Sequence, residues 1–243
     1  MSLVNIEKIS KRFGGLKAVK EVSLLLHQDE ILGVIGPNGS GKTTLFNLIT
    51  GFLRPDSGRM AIEGINIIGS NPVQMCRLGI CRTFQHVKSF ENMTVLENII
   101  AGRAYGREPA KTMKLARAES EELLNFANLY EKRFLKANQL VLAEQKRLEM
   151  IRAIATRPRL LLLDEIMAGL NPGELDEIIK FLFKVKSMNI GIVIIEHVIK
   201  AVLELSQRII VLSAGEKIVE GSPQEIINNE KVIDIYLGKD SIC

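Results

Sequence analysis

Eight consecutive residues at positions 36–43, Gly-Pro-Asn-Gly-Ser-Gly-Lys-Thr, constrain this chain more than any other segment. They fit the pattern G-x-x-x-x-G-K-[ST], in which glycines let the backbone wrap around phosphate groups and point its N–H groups inward. The sequence predicts a buried strand at 31–35 and a helix at 43–50 that ends at Gly51, so the loop stands at a helix N-terminus, which attracts anions. The segment therefore predicts a nucleotide-binding α/β domain.

The residue types of this loop indicate what each part would bind. Lys42 would reach the β- and γ-phosphates, and the Thr43 hydroxyl would be a ligand of Mg²⁺. The sequence lacks the Asn-Lys-x-Asp motif that recognises guanine, which favours adenine and hence ATP. The predicted nucleotide contacts are Gly36, Pro37, Asn38, Gly39, Ser40, Gly41, Lys42, Thr43 and Thr44.

A second buried strand, Leu-Leu-Leu-Leu at 160–163, is followed at its C-terminal end by two carboxylates. Ligands of open α/β sheets bind at that end of the strands. Asp164 could hold Mg²⁺ directly or through water, and Glu165 could polarise the attacking water as a general base. A strand that merely ends in solvated acidic residues is the alternative, and the phosphate loop in the same chain favours the catalytic interpretation.

The rest of the chain alternates short apolar runs with helical patterns, which is typical of an α/β fold with a largely parallel sheet. Further buried strands are predicted at 190–195 and 209–212, with a hairpin at 213–216. Alternation of apolar and polar residues at 3–9, 18–26 and 59–67 predicts a small antiparallel sheet. Strand signals stop from 95 to 157, so we expect a helical insertion there.

Composition limits the class of protein. No apolar run approaches the roughly 18 residues that span a bilayer, and the N-terminus shows no signal-peptide pattern, so a cytosolic protein is expected. The net charge of +4 is too small to argue for nucleic-acid binding. Cys76, Cys81 and Cys243 form neither a CxxC pair nor a disulfide framework, and we expect the first two to fill the core.

With these two sites placed, the order of the other motifs resembles the ATP-binding subunits of ABC transporters over the whole chain, and most closely the branched-chain amino-acid importer branch. The likeness rests on the following segments: Phe13 before Gly-Gly-Leu-Lys-Ala-Val at 14–19, Arg-Thr-Phe-Gln at 82–85, Phe-Glu-Asn-Met-Thr-Val-Leu-Glu-Asn at 90–98, Ala-Gly-Leu-Asn-Pro at 168–172, and His197 after the strand at 190–195.

The resemblance implies a P-loop NTPase (RecA-like) core with an antiparallel β subdomain and an inserted helical subdomain. One ABC ATPase domain would cover 1–243, with a nucleotide-binding part at 1–85, the helical subdomain at 86–157 and the rest of the core at 158–243. Phe13 would stack on adenine, or else be a core residue. Gln85 would contact Mg²⁺ or the water and sense a membrane partner, and His197 would contact the γ-phosphate. Catalysis would then depend on Glu165, His197 and Gln85, and the metal on Thr43, Gln85 and Asp164.

Two segments depart from the family pattern, the signature and the residue after Glu165. The signature, usually Leu-Ser-Gly-Gly-Gln, falls on Leu140, Val141, Leu142, Ala143 and Glu144. Val141 has no hydroxyl for the γ-phosphate, and Ala143 allows a less close backbone approach than glycine. The helix N-terminus remains, so the contact would be weakened rather than lost. Ile166 stands where a proline usually follows the catalytic Glu, which changes the stiffness of the loop.

The resemblance also implies partners. Two cassettes, as a homodimer or a heterodimer, would sandwich each ATP between the phosphate loop of one and the signature of the other. The pair would lie on the inner face of the cell membrane, on transmembrane permeases that receive cargo from a substrate-binding protein, with no nucleic-acid partner. The segment 86–100 is unusually apolar and could receive a permease helix, or its apolar residues could only anchor the helical subdomain: Val87, Phe90, Met93, Val95 and Leu96.

Two alternatives to an importer ATPase stay open at this point. A soluble ABC ATPase of translation or DNA maintenance usually carries two cassettes or a long coiled coil, whereas this chain has one cassette and only 102–139 for an arm. A regulatory subunit with weak hydrolysis is motivated by Val141 and Ala143. Against it, the chain retains the residues of the reacting site: Lys42, Gln85, Asp164, Glu165 and His197.

Overall fold

The computed structural model describes residues 2–84 and 89–237. Its strands are β1 (Ser2–Phe13), β2 (Leu16–His27), β3 (Ile31–Ile35), β4 (Ser57–Ile62), β5 (Ile65–Asn66), β6 (Ile80–Arg82), β7 (Leu160–Asp164), β8 (Gly191–Ile195), β9 (Arg208–Ser213) and β10 (Glu216–Gly221). Its α-helices are α1 (Lys42–Ile49), α2 (Pro72–Leu78), α3 (Val95–Ala104), α4 (Met113–Phe126), α5 (Leu142–Ala155), α6 (Pro172–Lys186), α7 (Ile199–Leu205), α8 (Pro223–Ile227) and α9 (Glu230–Leu237).

The chain forms two compact units, one from residues 2–72 with 191–237 and the other from 73–190. In the first unit, the predicted antiparallel sheet is present with the strand order β2-β1-β4-β5. The strand β3 lies parallel to both β8 and β9, and all its residues are buried. A strand covered on both faces must be apolar throughout, which is why 31–35 could be recognised from sequence.

Local sequence explains how the first unit turns and ends. The hairpin between β9 and β10 turns through Ala214 and Gly215, whose φ angles are 47° and 84°, as a turn that matches strand twist requires. Ser222 and Glu225 form a capping box at the start of α8. The helices α8 and α9 then pack against the core through Ile226 and Val232, in a cluster that contains Ile35 of β3.

The second unit contains the helical segment and the strand that ends in the two carboxylates. The helix α3 packs against α4 and α5, and β6 pairs in parallel with β7, Cys81 opposite Leu161. The sequence does not predict α2 or β6, because a helix of 7 residues and a strand of 3 residues are too short to show a clear period. Among the described helices, none combines the length and the apolar character that crossing a membrane requires.

Candidate nucleotide and catalytic site

The phosphate loop at 36–41 connects β3 to α1 in the first unit, and its backbone fits tightly against two other segments. A Cβ atom on Gly36 would lie 2.1 Å from the carbonyl oxygen of Leu212, and one on Gly41 would lie 2.4 Å from that of Ala18. Gly41 also has a φ angle of 102°, which L side chains rarely adopt. The Gly215 N–H donates to the Ser40 carbonyl at 3.1 Å, so the hairpin at 214–215 is hydrogen-bonded to the backbone of the loop. Only glycine fits at these two positions.

Lys42 and Ser40 place polar groups inside this loop. The Lys42 side chain is 6% exposed, and its Nζ donates to the carbonyl oxygens of Gly36 at 2.8 Å and Pro37 at 3.0 Å. The Ser40 Oγ is buried and has no hydrogen-bond partner among the described residues. A buried hydroxyl without a partner costs free energy, and a phosphate oxygen would supply one. The loop therefore fits a nucleotide phosphate.

The other predicted contacts of the first unit have the exposure that their expected roles need. Thr43 is exposed at the start of α1, and Thr44 is half-buried. Phe13 ends β1 with 47% of its surface exposed, which argues against a core role and leaves a ring face for stacking. His197 is exposed two residues beyond Ile195, which pairs with Val34 of β3. Since β3 and β8 are parallel, His197 and the phosphate loop follow strands at the same sheet edge.

In the second unit, β7 delivers Asp164 into a buried ion pair. Asp164 is 3% exposed, and its Oδ2 accepts from Nη2 of Arg82 at 2.5 Å. The Asp164 N–H donates to the Thr83 hydroxyl at 3.4 Å. The sequence does not predict this ion pair, because Arg82 lies on the short strand β6 and the pairing joins residues 82 positions apart. The Arg82 guanidinium compensates the charge of this carboxylate, which would be costly to bury alone.

Glu165 follows with a backbone conformation that is uncommon for its residue type. Its φ angle is 50°, in the left-handed region, which costs of order 1 kcal/mol for a residue with a side chain. The carbonyl oxygen of Glu165 lies 3.5 Å from Nζ of Lys146, a buried residue of α5. Ile166, the second departure from the family pattern, is fully buried. A buried apolar side chain therefore stands where the family pattern has a proline ring.

The signature segment begins a helix, as expected, but its cap is incomplete. Val141 is the N-cap of α5 and has no oxygen to offer the first turn, while Glu144 accepts from the Val141 N–H at 3.4 Å. Val141 and Leu142 are 59% and 39% exposed, whereas Leu140 and Ala143 are buried. The segment 168–172 lies beside it, since a Cβ on Gly169 would lie 3.2 Å from Cδ2 of Leu142. The helix start thus faces solvent without a capping hydroxyl.

The described part of the apolar segment 86–100 contains both buried and exposed side chains. Val95 and Leu96 are 0% and 4% exposed, so they anchor α3, as the alternative interpretation expected. Phe90 is 49% exposed, under a stacked Arg152 guanidinium 5.1 Å from its ring centroid. The buried Asn98 amide holds the loop, accepting from the Phe90 N–H at 2.8 Å and donating to the Phe90 and Thr94 carbonyls. Gln85 and Val87 lie outside the described residues.

Comparison with known proteins extends these observations. The family described as "ABC transporter" matches residues 19–168, and "Branched-chain amino acid ATP-binding cassette transporter" matches residues 216–241. The chain is 40% identical to the high-affinity branched-chain amino acid transport ATP-binding protein LivG of Salmonella typhimurium, over 98% of each protein.

Solved structures agree. An ATP-binding cassette of an ABC transporter in its ADP conformation has a TM-score of 0.88 at 33% identity, covering 98% of this chain and 100% of that one. A dimeric cassette in a post-hydrolysis state with ADP and Pi has a TM-score of 0.79 at 26% identity, covering 90% and 98%. The predicted fold class is confirmed.

Proposed function

This chain belongs to the ABC transporter ATP-binding family, and we propose that it is the ATP-hydrolysing subunit of an importer for branched-chain or related amino acids. The observation that carries ATP binding is the glycine-lined phosphate loop with the buried Ser40 hydroxyl and the Lys42 ammonium group inside it. The amino-acid cargo is supported by the likeness to LivG along nearly the whole of both proteins.

In this proposal the residues of the chain divide the work of hydrolysis. The loop N–H groups and Lys42 bind and orient the phosphates, with Phe13 stacking on adenine. Thr43, Asp164 and Gln85 would hold Mg²⁺, which supplies charge neutralisation at the β- and γ-phosphates. Glu165 accepts the proton of the attacking water, and His197 holds the γ-phosphate end of the nucleotide.

The proposed assembly follows the family pattern. Two cassettes form a homodimer or a heterodimer, in which residues 140–144 of each contact the nucleotide of the other. The dimer binds the cytoplasmic side of two membrane permeases, with the binding protein acting through them. The exposed Phe90 supports the 90–98 loop as the surface that meets the permeases.

Glu165→Gln tests the catalytic assignment. It removes the base and leaves the phosphate loop and Asp164 intact, so ATP should still bind while turnover falls by about 10²-fold or more. Fluorescent-nucleotide titration measures binding, and phosphate release measures turnover. Glu177→Gln, an exposed carboxylate of α6, is the matched control. Equal turnover in Glu165→Gln and the parent would refute the assigned base, and ATP binding by Lys42→Ala at parental affinity would refute the assigned loop.

The missing signature hydroxyl favours the regulatory-subunit alternative as a second candidate. A parent protein that binds ATP but releases no phosphate, even with its permeases, would establish that alternative. The cargo is tested by uptake of labelled leucine, isoleucine and valine in cells that carry the parent or Glu165→Gln. Uptake that is equal in the two would refute the role in import.

A further inference from the structure

Two cysteines of the second unit lie side by side outside the proposed nucleotide site. Cys76 on α2 and Cys81 on β6 have their Sγ atoms 3.6 Å apart. Cys81 is 7% exposed, and Cys76 is half-buried. A disulfide requires a distance of about 2.05 Å, so the sulfur atoms need to approach by only about 1.5 Å. Both thiols already point at each other, and one of them is open to solvent.

The two thiols have different chemical character. A hydrogen bond with Cys81 is the largest cause that lowers the pKa of Cys76 to about 7, against the opposing effect of burial. The same hydrogen bond, followed by burial, raises the pKa of Cys81. The half-buried Cys76 is therefore the thiol of the pair that ionises more readily, and the buried Cys81 is the one that keeps its proton. A partly exposed thiolate beside a second thiol is the arrangement of redox-sensitive cysteines.

This pair contacts elements of the proposed ATPase machinery. The Sγ of Cys81 lies 2.8 Å from the hydroxyl of Thr156, the residue that ends the signature helix α5. The next residue on β6 is Arg82, whose guanidinium pairs with Asp164. Any movement of Cys81 toward Cys76 therefore acts on the end of α5 and on the cation that holds the Asp164 carboxylate.

We propose that Cys76 and Cys81 form a peroxide-sensitive dithiol whose disulfide slows ATP hydrolysis. The Cys76 thiolate attacks one oxygen of hydrogen peroxide, the O–O bond breaks, and the departing hydroxide takes a proton to become water. The Cys81 sulfur then attacks the Cys76 sulfenic acid; the S–S bond forms, the S–O bond breaks, and the hydroxide leaves with the Cys81 proton as water. The pair loses two electrons in total, and a small dithiol reductant returns them.

The disulfide is tested in the full chain with Cys243→Ser, so that two thiols remain. Peroxide should reduce the titratable thiols from two to none and lower the mass by about 2 Da, with a cross-linked peptide that dithiothreitol releases. Cys81→Ser should stop at a sulfenic acid that dimedone traps, and Cys76→Ser should form no intramolecular link. Retention of both thiols, or oxidation of Cys76 to a sulfinic acid with no link, would overturn the proposal without depending on any variant that folds poorly.

The effect on hydrolysis rests on the proposed function and is measured separately. Because a displacement of about 1 Å in a site can cost up to about 10²-fold in rate, we expect phosphate release to fall by about tenfold in the disulfide form and to recover after reduction. The rate of phosphate release by Cys76→Ser should not fall on treatment with peroxide. Full activity of the disulfide form would refute the regulatory step. A protein that hydrolyses no ATP in either the reduced or the disulfide form would refute the proposed function. The mass measurement would still show whether Cys76 and Cys81 form a disulfide.

Discussion

Val141 offers a direct measure of what the altered signature costs. It is the N-cap of α5, it is 59% exposed, and it lacks the oxygen that would accept from the first-turn N–H groups. Val141→Ser supplies that oxygen and gives up little buried surface. A capping serine is worth about 0.5–2 kcal/mol, typically about 1. For a chain of this length, about 1 kcal/mol raises the melting temperature by about 2–4 °C.

The same hydroxyl should strengthen the ATP-bound dimer. Each dimer contains two signature segments, and a hydrogen bond from each serine hydroxyl to the γ-phosphate across the dimer is worth about 1 kcal/mol. The two bonds together add about 2 kcal/mol, or about thirtyfold in the dimer dissociation constant. Light scattering in the presence of ATP measures the dimer dissociation constant. The measurement uses the Glu165→Gln background, in which hydrolysis does not dissociate the dimer. Val141→Ala is the matched control, because it shortens the side chain without adding a hydroxyl.

Comparison of Val141→Ser with Val141→Ala isolates the effect of the hydroxyl. Both remove the valine methyl groups, so any difference between them belongs to the hydroxyl. If the two variants melt at the same temperature and dimerise equally, the serine oxygen neither caps α5 nor reaches a phosphate. A dimer weaker than the parent in both variants would show that the exposed Val141 side chain itself contacts the partner cassette.

Residues 90–98 carry the remaining predictions. Asn98→Ala should lower the free energy of unfolding, measured in urea, by about 1–3 kcal/mol, because the N–H and carbonyl groups of Phe90 lose their partners in the Asn98 amide. The control is Asn92→Ala at an exposed position, which should change this free energy little. Phe90→Glu should leave ATP hydrolysis by the isolated subunit unchanged while co-purification with the permeases and amino-acid uptake fail, and uptake at the parental rate would place the docking surface elsewhere. The N–H of Thr94 lowers the pKa of Glu97, so this carboxylate stabilises the fold above its ordinary pKa and stops doing so as pH falls through the lowered value. The melting temperature of Glu97→Gln should therefore fall less than that of the parent between about pH 5 and pH 3. An equal fall in the two proteins would contradict this prediction.

Features encoded within a few neighbouring residues could be predicted from the sequence. The buried strand before the phosphate loop, the strand before Asp164 and the capping box at Ser222 each depend on local pattern alone. The helix start at Val141 was also expected, although its exposure was not visible from the motif.

Features that join distant residues could not be predicted in this way. The ion pair between Arg82 and Asp164 depends on β6, which is too short to show a pattern. The approach of Cys76 to Cys81 depends on the turn between α2 and β6, whereas the sequence predicts only core packing for these two residues. The apolar residues at 90–96 looked alike in sequence, yet folding buries Val95 and leaves Phe90 largely exposed.

The supports of the phosphate loop imply an order of events during protein synthesis. The loop itself is complete once residue 43 has been made, but the carbonyl of Leu212 and the N–H of Gly215 that lie against it come from near the other end of the chain. A nascent polypeptide on the ribosome therefore carries the whole motif for most of its synthesis without a rigid cradle for a nucleotide. A nascent chain should therefore bind ATP only late in its synthesis, when the hairpin at 214–215 leaves the exit tunnel. Stalled chains that end before residue 212 should not retain ATP.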